Sequence, residues 1–133
     1  MGKKSLTNSP ILCDTNVLFR FMEGDEKTKE IIAKIGEERI AFSIITTAEA
    51  MAGCSKLEFA ILKKVFSRYQ IFHMSKESSL IFNGLIQSNH ARHSKWIPDA
   101  LIASIAIANQ LELFTYNRKD FDFIKEIKLF NPR

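Results

Sequence analysis

Short apolar runs of strand length alternate with longer segments of helical period along this chain, and that alternation constrains its fold more than any other feature. Strands are predicted at residues 11–13, 39–45, 70–73, 113–115 and 127–130. Helices are predicted at residues 17–22, 57–69, 98–110 and 119–125, and from starts at Asp25, Thr46 and Ser75. This order indicates an α/β fold with a parallel sheet covered by helices on both faces.

Length and composition favour one soluble domain over residues 1–133, with residues 1–9 as a flexible N-terminal segment. An apolar share of 46% and a charged share of 26% are ordinary for a globular domain. We expect neither a signal peptide nor a membrane span, because no apolar stretch is long enough. Cys13 and Cys54 are too few for a disulfide framework, which favours a reducing cytoplasm.

The chain is basic, with a net charge of +4 and a pI near 9.1. A basic surplus suits a polyanionic partner. Four charges on a chain of this length are equally compatible with ordinary solubility. Charge alone therefore does not decide the partner.

Four acidic residues follow strands or begin helices of the predicted sheet. Asp14 follows the first strand, Glu49 is placed in the first turn after the second, Asp99 follows Pro98 at a helix start, and Asp120 opens the predicted last helix. Because crossovers are right-handed, the carboxyl ends of the strands and the helix N-termini share one edge of the sheet. All four acids are therefore expected at that edge.

Each acid also has a simpler interpretation as a helix cap. Asp14 could cap the next helix, Thr46 and Glu49 fit a capping box, and Asp99 beside Pro98 is an ordinary helix start. Helix capping does not, however, predict acids at four successive junctions. Clustered carboxylates are the ligands that Mg²⁺ and Mn²⁺ prefer, and such ions can activate water for hydrolysis.

Four segments resemble the motifs of PIN domains, and in particular those of VapC-type toxins. They are LCDTNVL at residues 12–18, SIITTAE at 43–49 with Gly53 behind it, PDALIA at 98–103 and TYNRKDF at 115–121. The match runs from Ile11 to Pro132, with the motifs in the family's order and spacing.

This resemblance implies a sheet of strand order 3-2-1-4-5 and Mg²⁺- or Mn²⁺-dependent cleavage of RNA. It places Asp14, Glu49, Asp99 and Asp120 around the metal, and the polar residues Asn16, Thr115 and Asn117 beside it. Asp122 remains an alternative to Asp120. The implied partners are an RNA substrate, a second copy of the chain and an antitoxin protein whose C-terminal tail blocks the acidic pocket, as in a type II toxin–antitoxin system.

Basic residues near the acidic edge are candidates for RNA contacts, since the acids themselves repel phosphate: Arg92, Lys95, Arg118 and Lys119. Solvated surface charge is the alternative for each of them. Several large apolar residues are assigned first to the core, with some left for an antitoxin groove: Phe19, Phe21, Met22, Phe59 and Phe66.

Two other folds fit the motifs less well. A receiver domain needs a second acid after the first strand and a lysine after the fifth, and a haloacid-dehalogenase-like phosphatase needs an Asp where Asn16 stands. The remaining alternative is a PIN fold that binds RNA or a partner without turnover.

Overall fold

The computed structural model describes residues 8–132, and a five-stranded parallel sheet forms its centre in the order β3-β2-β1-β4-β5. The strands are β1 (Ile11–Cys13), β2 (Ile40–Ser43), β3 (Gln70–Phe72), β4 (Glu112–Phe114) and β5 (Lys128–Leu129). Every neighbouring pair is parallel. The predicted fold class and strand order are confirmed, while the expectation for residues 1–7 lies outside the described residues.

Helices connect the strands and cover the sheet. They are α1 (Thr15–Met22), α2 (Glu26–Ile35), α3 (Ile44–Met51), α4 (Lys56–Ser67), α5 (Lys76–Ser88) and α6 (Ile97–Ala108). Short 3-10 helices lie at Glu37–Arg39, Ser94–Trp96 and Arg118–Asp120. None of the helices within residues 8–132 has the length and apolar character to cross a membrane.

The core has two halves, one on each face of the sheet, because alternate strand side chains point to opposite faces. Ile11 and Cys13 of β1 pack in one half with residues of α1, α2 and α4. Leu12, between them, packs in the other half with residues of α6. The central strands β1 and β2 are buried along their whole length, which explains their continuous apolar sequence.

A helix follows β2 as predicted, but the predicted boundary and capping residue were wrong. The strand ends at Ser43, and α3 begins at Ile44 rather than at Thr46. Ser43 is the N-cap, and its hydroxyl accepts a hydrogen bond from the Thr46 N–H at 3.2 Å. Ile44 and Ile45 favour strand by propensity, but a serine cap and the helix packing override that preference. Glu49 therefore lies in the second turn of α3 and is not part of a capping box.

The helix predicted at residues 119–125 was also wrong. A 3-10 turn ends at Asp120, and the chain then bends so that Phe121 is fully buried. A helix this short gains too few hydrogen bonds to offset its nucleation, so the burial of Phe121 decides the local path. Asp120 consequently closes a turn rather than opening a helix.

Candidate active site

Asp14 lies at the carboxyl end of the central strand and is the N-cap of α1. Its Oδ1 accepts a hydrogen bond from the Thr15 N–H at 2.8 Å, and its Oδ2 accepts one from the Thr115 hydroxyl at 2.8 Å. Asp14 is buried, with 4% of the residue exposed. Burial is the main reason why the pKa of Asp14 is raised, and its hydrogen bonds partly oppose that shift. Asp14 does cap a helix, but its second oxygen also faces β4.

Asn16 and Thr115 join the ends of β1 and β4 around this carboxylate. The Asn16 amide donates to Asp14 Oδ2 at 3.2 Å and to the Thr115 hydroxyl at 3.3 Å, while its Oδ1 accepts from the Tyr116 N–H at 3.2 Å. Asn117 contacts this network through its backbone N–H, which donates to Thr115 Oγ1 at 3.0 Å. These contacts fix the orientation of Asp14.

A chain of hydroxyl groups connects Glu49 to the same edge. The Thr15 hydroxyl donates to Glu49 Oε1 at 2.6 Å and lies 2.9 Å from the Thr46 hydroxyl. Because Thr15 has one hydroxyl proton and uses it on Glu49, Thr46 is the donor in the second bond. The sequence interpretation missed Thr15 and Thr46. The signal was the i, i+3 spacing of Thr46 and Glu49, which puts both on one helix face.

Asp99 and Asp120 line one open cleft, together with Arg92, His93, Lys95 and Trp96. Asp99 lies in the first turn of α6, and Asp120 is positioned by a hydrogen bond from the buried Trp96 Nε1 to its backbone carbonyl at 2.9 Å. Asp122, the alternative to Asp120, is exposed and does not line this cleft.

The four acids are close enough to influence one another electrostatically. The pKa of Asp99 is raised to about 7, mainly by burial and then by the negative charges of Asp14, Asp120 and Glu49. Glu49 also raises the pKa of Asp14. The structure therefore places Asp14, Glu49 and Asp120 near enough to Asp99 for their charges to raise its pKa, at the sheet edge where the sequence places all four acids.

The donor chemistry of this site suits a hard divalent cation, although the site is not a closed cage. Within residues 8–132, no three acidic, histidine or cysteine side chains are placed to coordinate an ion together. Mg²⁺ needs no such cage, since it usually keeps several waters and is held by one or two carboxylates. Mutually repelling carboxylates are also the groups that a cation would stabilise most.

The predicted basic residues occupy different positions. Arg92 and Lys95 line the cleft with Asp99 and Asp120. Arg118 is turned away, since its guanidinium donates to the Phe130 carbonyl at 3.1 Å, and Lys119 is exposed. His93 also lines the cleft. The sequence around His93 did not predict this position.

A parallel 3-2-1-4-5 sheet with coupled carboxylates at its carboxyl edge agrees with the family comparison. The chain belongs to the PIN domain family, whose model matches residues 11–126. Its relatives include Ribonuclease VapC1 of Methanocaldococcus jannaschii, which is 31% identical over 124 residues, covering 91% of this chain and 85% of the relative.

Solved structures agree with this assignment. A chain in a toxin–antitoxin complex from Klebsiella pneumoniae is 28% identical and superposes with a TM-score of 0.74, over 92% of this chain and 98% of that chain. A chain in DNA-bound VapBC from Salmonella typhimurium superposes with a TM-score of 0.76, over 92% of this chain and 97% of that chain. At 20% identity, the second comparison shows the shared fold alone.

Proposed function

We propose that this protein is a Mg²⁺- or Mn²⁺-dependent endoribonuclease and the toxin of a type II toxin–antitoxin pair. The observation that carries the proposal is the coupling of Asp99 to Asp14, Glu49 and Asp120 at one sheet edge. The ribonuclease name of the Methanocaldococcus jannaschii relative supports the RNA substrate. We propose these four acids as the residues that hold the metal.

The residues around the acids would keep the carboxylates in place before any cation binds. Asn16 and Thr115 hold Asp14, and Thr15 directs its hydroxyl proton to Glu49, so these carboxylates need little rearrangement. We include the Asn117 backbone N–H in this support, because it donates to Thr115. When bound, the cation would activate water for attack on phosphorus and neutralise charge on the phosphate. Attack by water with cleavage of the P–O3′ bond, the 3′ oxygen leaving as a hydroxyl, would give 5′-phosphate and 3′-hydroxyl ends.

Basic residues would draw the RNA backbone towards a site whose acids repel it. Arg92 and Lys95 are the best placed because they line the cleft itself. Arg118 and Lys119 lie on the 3-10 turn that ends at Asp120, but neither lines the cleft. We propose these two as outer contacts with the RNA backbone.

The partner we propose is an antitoxin whose apolar segment packs between α1 and α4. Phe19 and Met22 on α1 are 42% and 41% exposed, and Ile61 on α4 is 45% exposed. Together with the buried Leu62 they line one groove, and exposed apolar surface of this kind marks a binding site. The solved complex from Klebsiella pneumoniae supports a protein partner of this class. We further propose a cytoplasmic homodimer.

An RNA cleavage assay tests the proposal through a pair of matched substitutions. Asp14→Asn and Asp25→Asn both replace an aspartate that caps a helix, and asparagine caps about as well as aspartate. We expect Mg²⁺ or Mn²⁺ to support cleavage of total cellular RNA by wild type and Asp25→Asn, and EDTA to stop it. Asp14→Asn should be inactive.

Two outcomes contradict this proposal. Equal cleavage by both variants would make Asp14 a helix cap and nothing more. RNA binding by the wild type without cleavage in any divalent metal would favour the alternative of a PIN fold that binds without turnover.

A further inference from the structure

The loop between α5 and α6 brings two side chains with hydrogen-bond donors, Arg92 and His93, to the cleft that Asp99 and Asp120 line. Neither side chain neutralises the acids. No hydrogen bond or ion pair joins Arg92 or His93 to a carboxylate within residues 8–132. Their placement beside the acids therefore needs an explanation other than local charge pairing.

His93 is held in one tautomer by the backbone. Its Nδ1 accepts a hydrogen bond from the Lys95 N–H at 3.0 Å, which makes it the N-cap of the 3-10 helix Ser94–Trp96. A ring nitrogen that accepts a hydrogen bond carries no proton, so the proton of the neutral imidazole lies on Nε2. Among the described residues nothing accepts from that Nε2–H, which remains available to a ligand in the cleft.

Arg92 is held by two aromatic rings. Its guanidinium carbon lies 3.6 Å from the centre of the Phe123 ring and 5.3 Å from that of Trp96. Trp96 is itself fixed, since it is buried and donates to the Asp120 carbonyl. Stacking occupies the face of a guanidinium and leaves the N–H groups at its edge free for a planar, two-bond contact with an anion.

We propose that Arg92 and His93 form the phosphate-binding wall of the cleft that Asp99 and Asp120 also line. The Arg92 guanidinium would bind a non-bridging oxygen of the RNA phosphodiester, and the His93 Nε2–H would donate to the same phosphate. This inference rests on the proposed RNA substrate. The wall offsets the repulsion between phosphate and the carboxylates with donors that are already oriented, so little side-chain freedom is lost on binding.

Substitutions at each residue separate substrate contact from structural support. Arg92→Gln removes the charge, whereas Arg92→Lys keeps the charge but loses the planar donor edge. His93→Asn keeps an acceptor for the Lys95 N–H but has no donor at the Nε2 position. Lys63→Gln is the matched control, because Lys63 also stacks on an aromatic ring, Phe59 at 5.6 Å, on the opposite face of the sheet.

We expect kcat/KM for RNA cleavage to fall about 10- to 100-fold in Arg92→Gln and about 10-fold in His93→Asn, as for lost hydrogen bonds to a charged group. Arg92→Lys should also lose activity, and Lys63→Gln should match the wild type. Labelled total tRNA should bind more weakly to Arg92→Gln than to the wild type in EDTA. The slope of log affinity against log salt concentration should become shallower by about one, as for the loss of one phosphate contact. Melting temperatures should stay close to that of the wild type.

The outcomes distinguish this inference from the proposed function. If the wild type cleaves RNA and both Arg92→Gln and His93→Asn cleave equally well, the wall is wrong and the nuclease stands. If the wild type does not cleave RNA, the proposed nuclease function is wrong. The phosphate-binding wall is then tested by tRNA binding alone, and equal binding by the wild type and Arg92→Gln would overturn it. If the melting temperature of Arg92→Gln is well below that of the wild type, Arg92→Lys is used as the test variant instead. Full activity of Arg92→Lys would then overturn the planar contact between the Arg92 guanidinium and the phosphate.

Discussion

Replacing Asp99 with Asn tests the carboxylate cluster through stability, independently of any RNA. The pKa of Asp99 is about 7, against an ordinary value of 3.8, so ionising it in the folded protein is unfavourable. This rise in the pKa of Asp99, at 1.36 kcal/mol for each tenfold change in acidity, corresponds to about 4 kcal/mol. Asp99 is only half-buried, so solvent screening reduces the expected relief to about 1–2 kcal/mol. Loss of a favourable helix-dipole interaction opposes it by about 0.3–1 kcal/mol.

The effect has a defined pH dependence. Because the pKa of Asp99 is higher in the folded than in the unfolded state, the folded protein binds more protons between about pH 4 and pH 7. This part of the free energy of unfolding therefore falls as pH rises through that interval. In metal-free protein, Asp99→Asn should be more stable than the wild type at pH 8, by about 1 kcal/mol, and should lose that advantage near pH 5.

Urea unfolding in EDTA at both pH values measures this difference, and a Mg²⁺ titration of the melting temperature completes the assay. The Mg²⁺-dependent rise should shrink in Asp99→Asn, since a ligand stabilises in proportion to its affinity. Glu77→Gln is the control, because Glu77 also lies in the first turn of a helix, α5, away from the other acids. An Asp99→Asn variant that is less stable at both pH values and keeps the full Mg²⁺ shift would refute the cluster.

Further outcomes follow from the same structure. A 2′-deoxy substitution at the cut site should leave the bond cleavable, and end-labelling should detect 5′-phosphate products; a 2′,3′-cyclic phosphate would contradict attack by water. Thr15→Val should lower RNA cleavage about tenfold, because Glu49 loses its 2.6 Å hydrogen bond, whereas Ser67→Ala, which removes an exposed hydroxyl on α4, should not. Phe121→Ala should lower the free energy of unfolding in urea by about 3–5 kcal/mol, because Phe121 is fully buried. Phe123→Ala should lower it less, because Phe123 is partly exposed.

Local sequence determined much of the fold. The apolar runs at β1 and β4 and the helix starts at Asp25 and Ser75 depend on neighbouring residues, so pattern and propensity predicted them. The strand-and-helix order then limited the sheet to a parallel one, with the acids at a single edge. The strand order itself came from the resemblance to PIN domains, and the sheet confirms it.

Tertiary structure decided the features that depend on distant residues. The Thr15–Glu49 bond spans 34 positions and the Thr115–Asp14 bond spans 101, so no local window contains both partners. The stacking of Arg92 on Phe123 likewise requires that two loops meet beside α6. Ser43 displaced Thr46 as the cap because the sheet ends there, against the strand propensity of the isoleucines that follow. Side-chain orientation at the site is thus fixed by packing between elements, which sequence spacing alone does not encode.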